Sequence, residues 1–272
     1  MSQWFSDRVG QRFIVENRSG GSNNIGTEAV VRSAADGYTL LLVNAVNAIN
    51  ATLFEKLSYD FLRDIAPVAS IARVPSVMEI HPSVPVSTVP EFIAYAKANP
   101  GKINFGSQGN GTIAHISCEL FKIVTGIDMV HVPYRGSAPM LTDLLSGRVQ
   151  VTIDTVATSI EHIRTGRLRA LAVTTATRWD GLPGTPTVPD FLPGFEASGW
   201  YGIGTPSKTP PEIVHKLNRE TNFALADPKI QARLSALGFT VLAGSPAEFG
   251  QLIAEETQKW GKVIRAANIK AE

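Results

Sequence analysis

The chain has 272 residues, enough for one large domain or two of ordinary size, and 44% hydrophobic with 18% charged residues supplies ample core material. A formal net charge of +1, with no run of Lys or Arg, argues against nucleic acid as a partner. The single cysteine, Cys118, excludes an intramolecular disulfide and a cysteine-based metal cluster, and no apolar run approaches the roughly 18 residues of a membrane span.

The chain opens on Gln3, Trp4, Phe5, Asp7 and Arg8, which read as the end of a helix closing at Gly10, before a strand over Phe13–Val15. Met1–Gly10 has neither a basic leader nor an apolar stretch, so no signal peptide is read, and taken alone this predicts a cytoplasmic protein. A Gly/Asn-rich loop over residues 18–26 follows, then a helix over about 27–35, stopped by Asp36 and Gly37. Tyr38–Val43 is a continuous apolar run with the length of a strand buried on both faces. Ala66–Arg73 and Val77–His81 are further strands, separated by Pro75 and closed by Pro82. Thr88 with Glu91, Thr209 with Glu212 and Ser245 with Glu248 carry the capping-box spacing and announce three helices. The last of these places Phe249, Leu252, Ile253, Trp260, Val263 and Ile264 on one stripe, a pattern that core packing explains.

Between Ile103 and Thr175 strands and helices alternate. Strands over 103–105, 129–132, 149–154 and 168–173 are separated by helices over 112–125, 137–146 and 157–165. This spacing predicts a parallel sheet with helices on its faces. Dense Gly/Pro punctuation over 181–204 predicts a surface loop that ends in a short strand, Trp200–Ile203. The pattern gives an α/β protein of two units: 103–199, and 1–102 together with 200–272. The chain would cross between them near 99–102 and 198–201, and two crossings make a hinge suited to a ligand cleft that closes.

The stretch Asn104-Phe-Gly-Ser-Gln-Gly-Asn-Gly-Thr112 joins a strand to a helix through glycines. Gly109-x-Gly111-x-x-Ala114 formally matches a dinucleotide fingerprint. The next strand, however, ends in Pro133 and Tyr134, while Asp128 stands at its start, so the acidic residue expected on the ribose is missing. No Lys follows the glycines, so the loop is no P-loop either. What remains is a set of backbone N–H groups at a helix start, flanked by Ser107 and Thr112, where an anion such as a carboxylate gains about 0.3–1 kcal/mol. The competing reading is a tight turn whose glycines merely relieve strain.

Catalysis has little support. His81, His115, His131, His162 and His215 form no H-x-x-x-H pair, and His115, on the first turn after the loop, packs or bonds rather than acting as a base. No G-x-S-x-G elbow appears, and Cys118 lies in a helix where a buried, inert thiol is expected. Asp154 ends a strand, where it either orients a ligand group or caps the helix after it. No second carboxylate pairs with it, so binding is favoured over acid–base chemistry, with no cofactor and no metal.

Several segments together resemble the substrate-binding receptors of tripartite tricarboxylate transporters, the Bug family. They are Val15-Glu-Asn-Arg18, Asn24-Ile-Gly-Thr-Glu-Ala29, Asp36-Gly-Tyr-Thr-Leu-Leu-Leu42, Asn99-Pro-Gly-Lys102 and the Gly106–Thr112 loop. Further along come His131-Val-Pro-Tyr134, Gly136-Ser-Ala-Pro139, Leu168-Arg-Ala-Leu-Ala-Val173, Pro186-Thr-Val188, Pro193-Gly-Phe195 and Ala226-Asp-Pro228. The resemblance implies a two-lobed type II periplasmic-binding-protein fold with two crossovers, and no enzymatic activity. It implies an extracytoplasmic receptor that captures a small carboxylate between its lobes and delivers it to membrane-embedded transporter subunits. By resemblance the location is the periplasm. The family grips its ligand through two loops, one of which matches Ser107, Gln108, Gly109, Asn110, Gly111 and Thr112. Asn44, Ala45 and Asn47 face the ligand from the first lobe in the family, or the two asparagines cap the next helix. Asp154 completes the candidate set, and Tyr134 and Trp200 either line the cleft or pack in the core. The family's first strand and the loop after it have no counterpart before Gln3, so the resemblance implies an N-terminally truncated chain with an exposed sheet edge able to pair with another copy. Two alternatives stand beside this reading: a nucleotide-binding α/β enzyme using the Gly109–Ala114 loop, and a non-functional truncated paralogue.

Overall fold

The computed structural model describes residues 1–18 and 20–271; Ser19, in the predicted Gly/Asn loop, lies outside the described residues. In chain order the elements are α1 (Ser2–Val9), α2 (Asn24–Val31), β1 (Leu41–Asn44), α3 (Ala45–Leu53), α4 (Phe61–Asp64) and β2 (Ile65–Ile80). They continue with α5 (Val89–Ala98), β3 (Asn104–Ser107), α6 (Ile113–Thr125), β4 (Val130–Pro133), α7 (Ser137–Leu145), β5 (Val151–Thr155), α8 (Val156–Arg164) and β6 (Arg169–Val173). The chain ends with β7 (Ser198–Pro206), α9 (Pro211–Ala226), α10 (Pro228–Ala236), β8 (Thr240–Val241) and α11 (Pro246–Ala266). Two compact units emerge: 1–73 with 200–261, and 74–199 with 262–272.

The first unit holds β7 between β1 and β2, with β8 on Ala72 and Arg73 in the middle of β2. Its core gathers Phe5, Val68, Ala69, Ile71, Ala72, Ile203 and Leu225, with Trp4 and Phe13 packed against them. Phe13–Val15 is not a strand. The segment has no ladder among the described residues, and Phe13 instead stacks on Phe5 with ring centroids 5.1 Å apart. The run at Tyr38–Val43 also differs from expectation: the strand is Leu41–Asn44, paired antiparallel with β7 on one side, and Tyr38 and Leu42 are 79% and 60% exposed. A strand buried on both faces needs neighbours on both edges and cover on both sides, and β1 has a ladder on one edge only among the described residues.

The two strands expected around Pro75 are one 16-residue strand, β2, which passes from one unit to the other at Arg73 and Val74. Proline removes one ladder donor without breaking the extended backbone, so the changeover point tolerates it. The first passage between units thus lies inside β2, not near residues 99–102.

The second unit orders its strands β6-β2-β5-β3-β4. β3 runs parallel to β4 and β5, but β2 is antiparallel to β5 and β6, so the sheet is mixed rather than all parallel. The alternation read between 103 and 175 is local, and it could not anticipate a strand arriving from upstream in the opposite sense.

Of the three capping boxes, Thr88 with Glu91 and Ser245 with Glu248 form. The third does not. Helix α9 starts at Pro211, and the Thr209 hydroxyl pairs with Thr205 Oγ1 at 3.0 Å. The long stripe packs as predicted, with Phe249, Ile253 and Trp260 buried.

Candidate functional site

The glycine loop leaves β3 and enters α6. Gly109 and Gly111 sit at φ of 130° and 74°, a region that side chains with a Cβ resist. The loop's own polar groups close it. The buried Ser107 hydroxyl donates to the Gly109 carbonyl (3.1 Å) and accepts the Gly109 N–H (3.2 Å). The Thr112 hydroxyl donates to the same carbonyl at 2.7 Å, and Gly111 N–H donates to His115 Nδ1 at 3.1 Å. Gly136 N–H donates to the Gln108 carbonyl at 3.3 Å.

Because the Thr112 hydroxyl is engaged inside the loop, no side chain caps α6. The N–H groups of its first turn carry the positive end of a 13-residue helix.

Beneath the loop lies a stack that sequence reasoning did not find. Phe105 and His131 face each other in register on β3 and β4, and their rings stack at 4.8 Å. His115 from α6 stacks on His131 at 3.8 Å. The Ser107 hydroxyl, already donating to Gly109, accepts from His131 Nε2 at 2.7 Å. Burial pushes His115 down to about 3, with His131 and Lys122 adding to the shift. Burial and then Lys122 push His131 down to about 4. Both rings are therefore neutral at neutral pH, with the proton on Nε2 in each, so each can fill its one acceptor or donor role under the loop. The motif His131-Val-Pro-Tyr134 was visible; its registration against Phe105 was not.

Asp154 is in the same unit, at the end of β5, and is buried. Its Oδ1 accepts the Thr155 N–H at 2.6 Å. Burial raises its pKa, while the nearby Gln108, Thr155 and Thr158 act in the opposite direction. On the same face of the sheet stands Glu79, opposite Thr152 where Val77 is opposite Asp154. Glu79 is fully buried, its two carboxyl oxygens have no hydrogen-bond partner among the described residues, and burial raises its pKa to about 8. This second acid belongs to β2, far from Asp154 in sequence, and only the strand pairing reveals it.

In the first unit, Asn44 and Asn47 form the capping box of α3: Val46 N–H donates to Asn44 Oδ1 at 3.0 Å, and Asn44 N–H donates to Asn47 Oδ1 at 2.9 Å. Asn47 is buried and its amide donates to Thr27 Oγ1 at 2.9 Å. Ala45 is buried beside them. Capping thus occupies the carbonyl oxygens of both asparagines. Trp200 is a core residue whose Nε1 donates to Glu256 at 3.2 Å, and the Tyr134 hydroxyl donates to Asp143 at 2.8 Å. Cys118 is buried, and burial pushes its thiol pKa up. For a nucleotide, the acidic partner is missing here too: β4 ends at Pro133, and Asp128 precedes it.

Two α/β units joined by shared strands, with an uncapped helix start behind a glycine loop, define a two-lobed periplasmic-binding-protein fold of type II. The model of the tripartite tricarboxylate transporter family receptor matches residues 1–269. Protein BugT of Bordetella pertussis is 37% identical over 273 residues, spanning 99% of this chain and 84% of that protein. Among solved structures, R. palustris Rpa4515 with adipate has a TM-score of 0.88 at 38% identity, covering 99% of this chain and 91% of that one. MatC from Rhodopseudomonas palustris with bound malate has a TM-score of 0.83 at 28% identity, covering 97% and 91%. The chain belongs to the tripartite tricarboxylate transporter receptor family, the Bug family.

Proposed function

We propose that this protein is an extracytoplasmic receptor that binds a small carboxylated solute and hands it to the membrane subunits of a tripartite transporter, acting in the periplasm without chemistry of its own. The observation that carries the reading is the uncapped first turn of α6 behind Gly109 and Gly111, in a family whose relatives include adipate-bound and malate-bound structures. A ligand carboxylate accepts from the first-turn N–H groups. Ser107 and Thr112 fix the shape of the loop through their bonds to Gly109, and Gln108, Asn110 and Asp154 bind the ligand's polar groups or bridging water. Asn44, with its amide N–H groups, Ala45 and Asn47 supply the contribution of the first lobe.

Calorimetric titration with adipate, malate and the uncharged diamide of adipate tests this. Saturable heat with a dicarboxylate and none with the diamide is the expected result. Binding of the diamide as tightly as the acid, or of neither acid across a panel of dicarboxylates, refutes it. Saturable binding of NAD in the same assay would favour the nucleotide reading instead.

A further inference from the structure

Glu79 and Asp154 are 0% and 1% exposed on one face of the sheet in the second unit. In the β2–β5 register Val77 stands opposite Asp154 and Glu79 opposite Thr152, so the two acids are diagonal neighbours. Such positions lie about 7–8 Å apart at Cα, within reach of long side chains. Thr152 is satisfied, because its hydroxyl donates to the Gly106 carbonyl at 2.8 Å. The acids are not. Both carboxyl oxygens of Glu79, Asp154 Oδ2 and the hydroxyl of Ser159, itself 1% exposed on α8, have no hydrogen-bond partner among the described residues. The charged groups of the neighbouring elements are committed elsewhere. Lys122 of α6 bonds Glu119 at 3.0 Å, Arg148 after α7 bonds Asp143 at 3.2 Å, and Arg164 of α8 bonds Glu161 at 3.0 Å. Arg169 of β6 donates to the carbonyls of Val84 and Val86, and His162 of α8 meets Arg167. His115 and His131 are neutral, and the buried Cys118 keeps its proton.

Two carboxyl groups drawn out of water on one face, with no cation beside them, resist ionising together. Asp154 is the better anion of the two. Its Oδ1 accepts the Thr155 N–H at 2.6 Å, and Gln108, Thr155 and Thr158 favour its ionised form. On Glu79 only Ser159 acts in that direction, and Asp154 acts against it. The shared proton therefore sits on Glu79. We propose that this pair is a proton-binding site coupled to the solute site, so that a carboxylate held at the glycine loop and a proton held at Glu79 bind together. The inference rests on the receptor reading above. Gln108 belongs to that loop and is near Asp154, so a solute anion there adds a third negative charge wherever both acids are ionised. With Glu79 protonated, the face carries one charge fewer. A solute carboxylate thus draws a proton from solvent onto Glu79, and by reciprocity solute binding weakens as Glu79 loses that proton. Glu79 acts through Asp154 and is a positioning residue.

The test is calorimetric titration of the full chain with adipate and with malate at pH 7 and pH 9 and, at pH 8, in buffers of different ionisation enthalpy. Glu79, pushed up to about 8, changes state in this range, while His115 and His131, at about 3 and about 4, stay neutral throughout. The native chain is expected to take up about 0.3 proton per dicarboxylate bound at pH 8, and to bind about threefold to tenfold more weakly at pH 9 than at pH 7. Glu79→Gln, which cannot ionise, should take up none and bind alike at both. Carbon NMR of the Glu79 carboxyl in the native chain needs no variant: its titration midpoint should rise when the dicarboxylate is added. Binding without proton uptake, uptake undiminished in Glu79→Gln, or a Glu79 midpoint that the dicarboxylate leaves in place overturns the coupling and leaves the receptor reading standing. Absence of binding by both dicarboxylates at every pH defeats the receptor reading, and the coupling with it.

Discussion

Glu79→Gln is the sharpest probe of how lobe two is balanced. Glu79 is completely buried on β2, its carboxyl oxygens are unpartnered, and burial followed by the neighbouring Asp154 lifts its pKa to about 8, with Ser159 opposing. In the unfolded chain the group titrates near 4.5. Between those two values the folded protein keeps a proton that the unfolded chain has released. The stability this group contributes is therefore complete below the unfolded pKa and declines by up to about 1.4 kcal/mol per pH unit as pH rises toward 8. Glutamine keeps the shape and cannot ionise, though its amide hydrogens need acceptors and cost about 1–3 kcal/mol at every pH if they find none. The diagnostic quantity is thus the difference in effect between acid and alkaline conditions, which removes that constant. Urea unfolding followed by circular dichroism should show the variant gaining about 2–5 kcal/mol relative to the native chain between pH 4 and pH 9. Parallel stability curves across that range would refute the assignment of Glu79 as a buried, neutral acid.

The other expectations are smaller in scope. The neutral His115 and His131 have pKa values of about 3 and about 4, below the unfolded 6.5. Their contribution is therefore full above 6.5 and lost as pH falls toward 4, and His131→Phe should flatten that acid slope in urea titrations. Gly111→Ala, at φ 74°, should cost about 1 kcal/mol in melting experiments and weaken dicarboxylate binding measured by calorimetry. At Gly202 a Cβ would strike the Phe249 ring and lie 2.6 Å from the Ala69 carbonyl oxygen, so Gly202→Ala should lower stability by roughly 1–3 kcal/mol or more in thermal unfolding. Asn47→Ala removes one half of the α3 capping box and the bond to Thr27, and a loss of about 1–2 kcal/mol should appear as a lower urea midpoint.

Much of this protein was legible without coordinates where the signal is local. Local patterns located α6, α7 and α8 to within a residue or two, and a capping box marked the start of α11. The glycine loop was readable because Gly109 and Gly111 take backbone angles that other residues avoid. The motifs from Val15 to Pro228 pointed to the family that the comparisons establish. Readings failed where an outcome depended on partners distant in sequence. Thr209 has the spacing of a cap but bonds to Thr205 on β7, and Phe13–Val15 has the composition of a strand but no strand beside it among the described residues.

Sequence alone, then, determined the α/β class, the family and the existence of the loop–helix junction, since each is read from motifs whose residues lie within a few positions of one another. Tertiary structure alone decided that β2 is one strand shared by both units, and that His115, His131 and Phe105 stack under the loop. It also decided that Glu79 shares the face of Asp154. Those facts depend on strand register and on burial, which join residues tens of positions apart and leave no periodic trace in the chain.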